Sequence, residues 1–103
     1  MDKATQEALA KLDGWGELLT AAPNYNDEGE MLRMLERWKE AAPENQIREV
    51  EILLSGAVPS EIVITLYCSS DGYAGGPLAE HSASAPTFIE AATEALLKTK
   101  EKI

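Results

Sequence analysis

The stretch Ile62-Val63-Ile64-Thr65-Leu66-Tyr67-Cys68 is apolar on both of its faces, and this limits the folds open to the chain more than any other segment. At the two-residue period of a strand, Ile62, Ile64, Leu66 and Cys68 share one face, and Val63, Thr65 and Tyr67 share the other. A strand of that kind belongs in the middle of a sheet or under cover on both sides. The stretch before it, Ile47 to Leu54, alternates more cleanly. Val50, Ile52 and Leu54 share the parity expected to be buried, and Glu49 and Glu51 take the opposite one. Between the two, Ser55-Gly56-Ala57-Val58-Pro59-Ser60 suits a hairpin loop, because Pro59 cannot donate to a ladder. A third, shorter strand is expected at Leu78-Ala79-Glu80-His81-Ser82, after the turn-rich stretch Ser69 to Pro77.

Helices flank these strands. Residues 3–12 carry an apolar stripe of Ala4, Ala8, Leu9 and Leu12, and Gly14 is placed to end the helix in a left-handed cap. Trp15, between two glycines, reads as a core anchor. A second helix starts after Asp27, which with Glu30 forms a capping box, and runs to about Ala42, where Pro43 stops it. Its stripe is Met31, Met34, Leu35, Trp38 and Ala42. The last helix covers Phe88 to Leu97, with Phe88, Ile89, Ala92, Ala95, Leu96 and the distant Ile103 on one side. Ser84 is its expected N-cap and Pro86 falls in its first turn. The expected fold is therefore α+β: one domain over residues 1–103, with a small antiparallel sheet of two to three strands packed with three helices. The order is α-α-β-β-(β)-α, in a helix–sheet–helix, sandwich-like layering.

Charge excludes some partners. The chain has 9 basic and 18 acidic residues, a net charge of −9. Direct nucleic-acid binding is disfavoured, since phosphate contacts need a basic patch. From Glu49 to Leu97 there is no Lys or Arg at all, so the strand region carries a field of one sign that attracts cationic partners. No apolar run is long enough for a transmembrane helix, and the N-terminus lacks the pattern of a signal peptide. A single cysteine rules out an internal disulfide framework and fits a reducing compartment, so the expected location is the cytoplasm.

Catalytic chemistry is sparse. His81 and Cys68 are the only histidine and cysteine, too few for a zinc site. As a nucleophile–base pair they lack an orienting third group, and His81 is expected near the surface, ahead of the last helix. No phosphate loop, dinucleotide fingerprint or hydrolase elbow is present. Neither an enzyme nor a cofactor is expected.

Three pieces of the chain carry a resemblance. They are Leu12-Asp13-Gly14-Trp15 after an Ala-rich helix; Pro23-Asn24-Tyr25-Asn26-Asp27 with Met31 opening the next helix; and Ala85-Pro86 before the Ala-rich last helix. In these the chain resembles the phage ABA-sandwich domains, small phage and prophage proteins. The resemblance implies a layered α/β fold and a phage or prophage origin, and it carries over no catalytic residue.

Together these readings lead to an expected function: a small acidic phage accessory protein that binds and inhibits a host defence protein through that protein's basic, nucleic-acid-binding surface, as anti-CRISPR inhibitors do. The expected contact set is Glu49, Glu51, Glu61, Asp71 and Glu80. The alternatives are an oligomer that sequesters a small ligand or nucleotide signal, with Asp71 and Tyr73 in the ligand loop, and a self-associating structural domain. In the last case the second face of the central strand is closed by a homodimer.

Overall fold

The structure is a computed structural model, and it describes residues 1–16, 18–54, 56, 61–70 and 77–100. Helix α1 spans Lys3–Leu12 and helix α2 spans Glu28–Glu40, with a 3₁₀ turn at Leu19–Ala21 between them. Strands β1 (Gln46–Leu54), β2 (Ile62–Ser70) and β3 (Pro77–Ala85) follow, and helix α3 (Phe88–Lys100) comes last. The strands form an antiparallel sheet in the order β1-β2-β3, so the doubly apolar segment is central, as its composition requires. The α+β class and the element order agree with the sequence reading. The loop from Ser55 to Ser60 lies outside the described residues except for Gly56.

Register sorts the side chains. On one face, β1–β2–β3 rows run Arg48–Cys68–Ala79, Val50–Leu66–His81, Ile52–Ile64–Ala83 and Leu54–Ile62–Ala85. Helices α2 and α3 pack on this face, α2 over β1 and α3 over β2 and β3, while α1 lies against α3. The sequence reading expected a helix–sheet–helix layering, which needs helices on both faces of the sheet. The described helices cover one. The core they close includes Ile64 and Leu66 from the sheet, Met31, Met34, Leu35 and Trp38 from α2, Ala92, Ala95 and Leu96 from α3, and Leu9 from α1. The buried alanines of α3 share the core with Ala83 and Ala85 of β3, and α3 packs directly on that strand. Burying Leu66 or Ile64 completely stabilises the fold by roughly 1.5–3 kcal/mol each.

Three local expectations change. The first concerns β1: its apolar parity faces the helices, yet Leu54 is 79% exposed and Ile52 is also exposed. Helix α2 covers the first half of the strand, and Ile52 sits only in a shallow groove with Leu32, Leu35 and Val50. The second concerns Ser84, which lies inside β3 and so cannot cap α3. Thr87 takes that role: its Oγ1 accepts from Glu90 N at 3.2 Å, and its carbonyl accepts the first helical bond, from Ala91 N. The third is His81. It sits mid-β3, is only 6% exposed and faces the helices. Strand β3 is longer than its small side chains suggested, and the alternation of Ala79, His81, Ala83 and Ala85 turns the histidine inward.

Helix α1 ends in a Schellman arrangement: Trp15 N donates to Ala10 O at 3.0 Å and Gly14 N to Lys11 O at 3.2 Å. Gly14 carries φ of 90°, a conformation that L side chains adopt at a cost. This turn delivers the Asp13 carboxylate to an inward position where its side chain is 3% exposed. Arg37 of α2 donates Nε to Oδ1 at 2.9 Å and Nη2 to Oδ2 at 2.7 Å. The buried Tyr25 hydroxyl donates to Oδ2 at 2.7 Å and the Trp15 indole at 3.2 Å. Burial opposes ionisation of Asp13, but the bonds from Arg37, Tyr25 and Trp15 outweigh it and hold the carboxyl below its ordinary range. Burial and the same carboxylate push the Tyr25 hydroxyl up. Asp13-Gly14-Trp15 and Tyr25 thus meet at one buried acceptor.

Candidate functional site

Among the described residues, no helix lies on the second face of the sheet. Its rows are Glu49–Tyr67–Glu80, Glu51–Thr65–Ser82 and Leu53–Val63–Ser84. Three of the five sequence-predicted contact residues, Glu49, Glu51 and Glu80, therefore stand on one open surface. Strand parity dictates this for Glu49 and Glu51, and the β2–β3 register brings in Glu80 from the far strand. Glu49 and Glu80 sit two strands apart, on the order of 10 Å, with Tyr67 between them. The Tyr67 hydroxyl donates to Glu51 Oε1 at 3.2 Å. Partial desolvation, this bond and the fields of Glu51 and Glu80 all raise the Tyr67 hydroxyl above its ordinary value. Thr65 and Ser82 share a hydrogen bond of 3.1 Å beside it. Exposed Leu53 and Ile47 add apolar area at the β1 margin. Glu61 lies just ahead of β2 and is half-buried. Asp71 and Tyr73 lie outside the described residues.

Tyr67 is the residue that the predicted contact set lacked. Its parity with Val63 and Thr65 was legible, and a tyrosine flanked by carboxylates on an open face supplies both an apolar ring and a polar tip.

A cavity of about 410 Å³ opens on the other side of the sheet, between its helix-covered face and the C-terminal ends of the three helices. Cys68 and His81 both line it. They are diagonal neighbours on adjacent strands, since Cys68 stands opposite Ala79 and His81 opposite Leu66. Arg48, from the inward parity of β1, is the other unexpected lining residue. Its guanidinium lies over the Trp38 ring at 4.7 Å, donates Nε to Gln46 Oε1 at 3.1 Å and donates Nη1 to the Trp38 carbonyl at 2.9 Å. An arginine in a strand's apolar parity was the signal in the sequence for this site. Among the described residues there is no group of metal-ligating side chains, and no helix is long and apolar enough to cross a membrane.

No family model matches the chain, and neither a curated protein nor a solved structure matches it. The geometry of the two surfaces therefore carries the functional argument.

Proposed function

We propose that this is a protein-interaction module whose helix-free sheet face docks a partner with a basic surface. The observation that carries the reading is the row Glu49–Tyr67–Glu80 with Glu51 beside it, a tyrosine framed by carboxylates on a rigid antiparallel platform. Sheet positions hold the backbone under these groups at fixed spacing, so little backbone order is lost on docking. The field of a chain with net charge −9 draws a cationic partner in and repels nucleic acid from the same partner's surface. Together with the resemblance to a phage family, this favours a partner that is a host nucleic-acid-binding protein, which the acidic face inhibits by occupying its phosphate-binding surface. A second copy of the chain is the other occupant that exposed Ile47 and Leu53 favour.

The test compares the natural chain with the triple variant Glu49→Lys, Glu51→Lys, Glu80→Lys as baits in a bacterial lysate, with captured proteins quantified by mass spectrometry. Nucleic-acid-binding proteins are expected on the natural bait, released by duplex DNA and reduced at least about tenfold on the triple variant. Capture unchanged by the reversal overturns the reading. Light scattering at two salt concentrations distinguishes the second copy: a stable dimer at both assigns the face to self-association.

A further inference from the structure

The cavity on the helix-covered side has the makings of a ligand site that is independent of the acidic face. Its volume of about 410 Å³ lies within the range of small-molecule pockets. Leu12, Met34 and Ala79 give it an apolar wall, and Gln46, His81 and Thr99 add hydrogen-bonding groups. Arg48 gives it a charge.

The electrostatics of the wall run against those of the whole chain. Two guanidiniums line the cavity, Arg37 and Arg48, and Asp13 is the one carboxylate among the described lining residues. Asp13 is already committed to Arg37 through two bonds, so that pair cancels. Arg48 has no ion pair among the described residues. Its plane is fixed by the Trp38 ring, the Gln46 side chain and the Trp38 carbonyl, while its Nη2 group donates to no described residue. A cation already stacked and hydrogen-bonded in one pose loses little freedom when an anion joins it. The cavity therefore presents one oriented positive charge beside apolar surface, inside a chain whose net charge is −9. That surrounding field penalises a phosphate dianion more than a carboxylate carrying a single charge.

We propose that this cavity binds a small organic monocarboxylate, its carboxylate on Arg48 and its apolar body against Leu12, Met34 and Ala79. Gln46 holds the guanidinium in position. Cys68, also on the wall, is the chain's sole thiol and reports on occupancy.

The experiment titrates the isotope-labelled full chain with benzoate, hexanoate, the neutral benzamide and inorganic phosphate. It follows the Trp38 indole and Arg48 Nε–H signals by NMR, and in parallel the alkylation rate of Cys68. At least one of the two carboxylates is expected to give saturable shifts at both signals and to slow Cys68 alkylation. Benzamide is expected to bind about tenfold more weakly than benzoate, and phosphate is expected not to saturate. Arg48→Gln is expected to abolish saturation. Should that variant fail to fold, Gln46→Ala removes only the positioning bond and is expected to weaken carboxylate binding severalfold. Absence of saturation with either carboxylate, saturation by phosphate alone, equal binding of benzamide, or an unchanged response in a folded Arg48→Gln or Gln46→Ala variant overturns the proposal. The triple reversal on the acidic face is expected to leave this titration intact, so the two surfaces fail or stand separately.

Discussion

Replacing Asp13 with Ala is expected to destabilise the fold by about 3 kcal/mol. Asp13 accepts four hydrogen bonds from three residues, at 2.9 and 2.7 Å from Arg37, 2.7 Å from Tyr25 and 3.2 Å from Trp15. A hydrogen bond to a charged group contributes about 1.5–3 kcal/mol net, and a buried donor left without an acceptor costs about 1–3 kcal/mol. Arg37 has 40% of its side chain exposed and recovers water once released, so its share falls at the low end. Tyr25 is fully buried, and its hydroxyl has no such recourse. The sum falls near 3 kcal/mol, or a melting temperature lower by roughly 12–24 °C for a domain of about 100 residues. Urea unfolding followed by circular dichroism measures it without relying on Trp15 fluorescence. Tyr25→Phe removes the hydroxyl alone and is expected to cost about 1–2 kcal/mol. The double variant is expected to fall short of additivity by at least about 1 kcal/mol, because the two changes delete one shared bond. A loss below about 1 kcal/mol for Asp13→Ala, or strict additivity in the cycle, refutes the account of this cluster.

Two other outcomes follow, one from this cluster and one from the cap of α3. Asp13 is held below its ordinary value in the folded state, so its contribution is present above the unfolded carboxylate pKa, about 3.9, and is lost as pH falls through the folded value. Urea midpoints measured from neutral pH down to strongly acid pH are expected to fall more steeply for the natural chain than for Asp13→Asn; parallel curves contradict this. At the start of α3, Thr87→Ala is expected to cost about 1 kcal/mol and Ser84→Ala less than about 0.5 kcal/mol. The reverse order in thermal melts rejects Thr87 as the cap.

The sheet was legible because its signal is local. Alternation in Val50, Ile52 and Leu54 fixes which way β1 faces, and apolar residues on both sides of Ile64 and Leu66 place β2 centrally. How far a helix reaches along that face is not local, so the exposure of Leu54 depends on where α2 crosses β1 and could not be read from the strand. Strand β3 hid behind small residues: Ala79, Ala83 and Ala85 alternate with Glu80, Ser82 and Ser84, but alanine and serine carry little contrast. His81 was therefore placed near the surface, ahead of the last helix. Glu49 and Glu51 were legible as surface charges by parity, while Tyr67 needed the register to be seen as the centre of their surface. Asp13 read only as the residue before Gly14, which ends α1 as expected. Nothing near it in the sequence announces an arginine 24 positions away as its partner.

The position of α1 has a consequence for motion. Among the described residues this helix packs on α3 and the 3₁₀ turn and on no strand, while Asp13 at its end bolts it to α2. The antiparallel ladders of β1–β2–β3 cross only neighbours in sequence, so they close without α1. Releasing the bolt is expected to let residues 3–12 open as a cooperative unit, baring Leu9, Ala10 and one side of α3 while the ladders stay paired. In amide hydrogen exchange, α1 is then expected to open first and β2 last. The carboxylate of Asp13 is therefore expected to set how often this N-terminal helix lifts from the core.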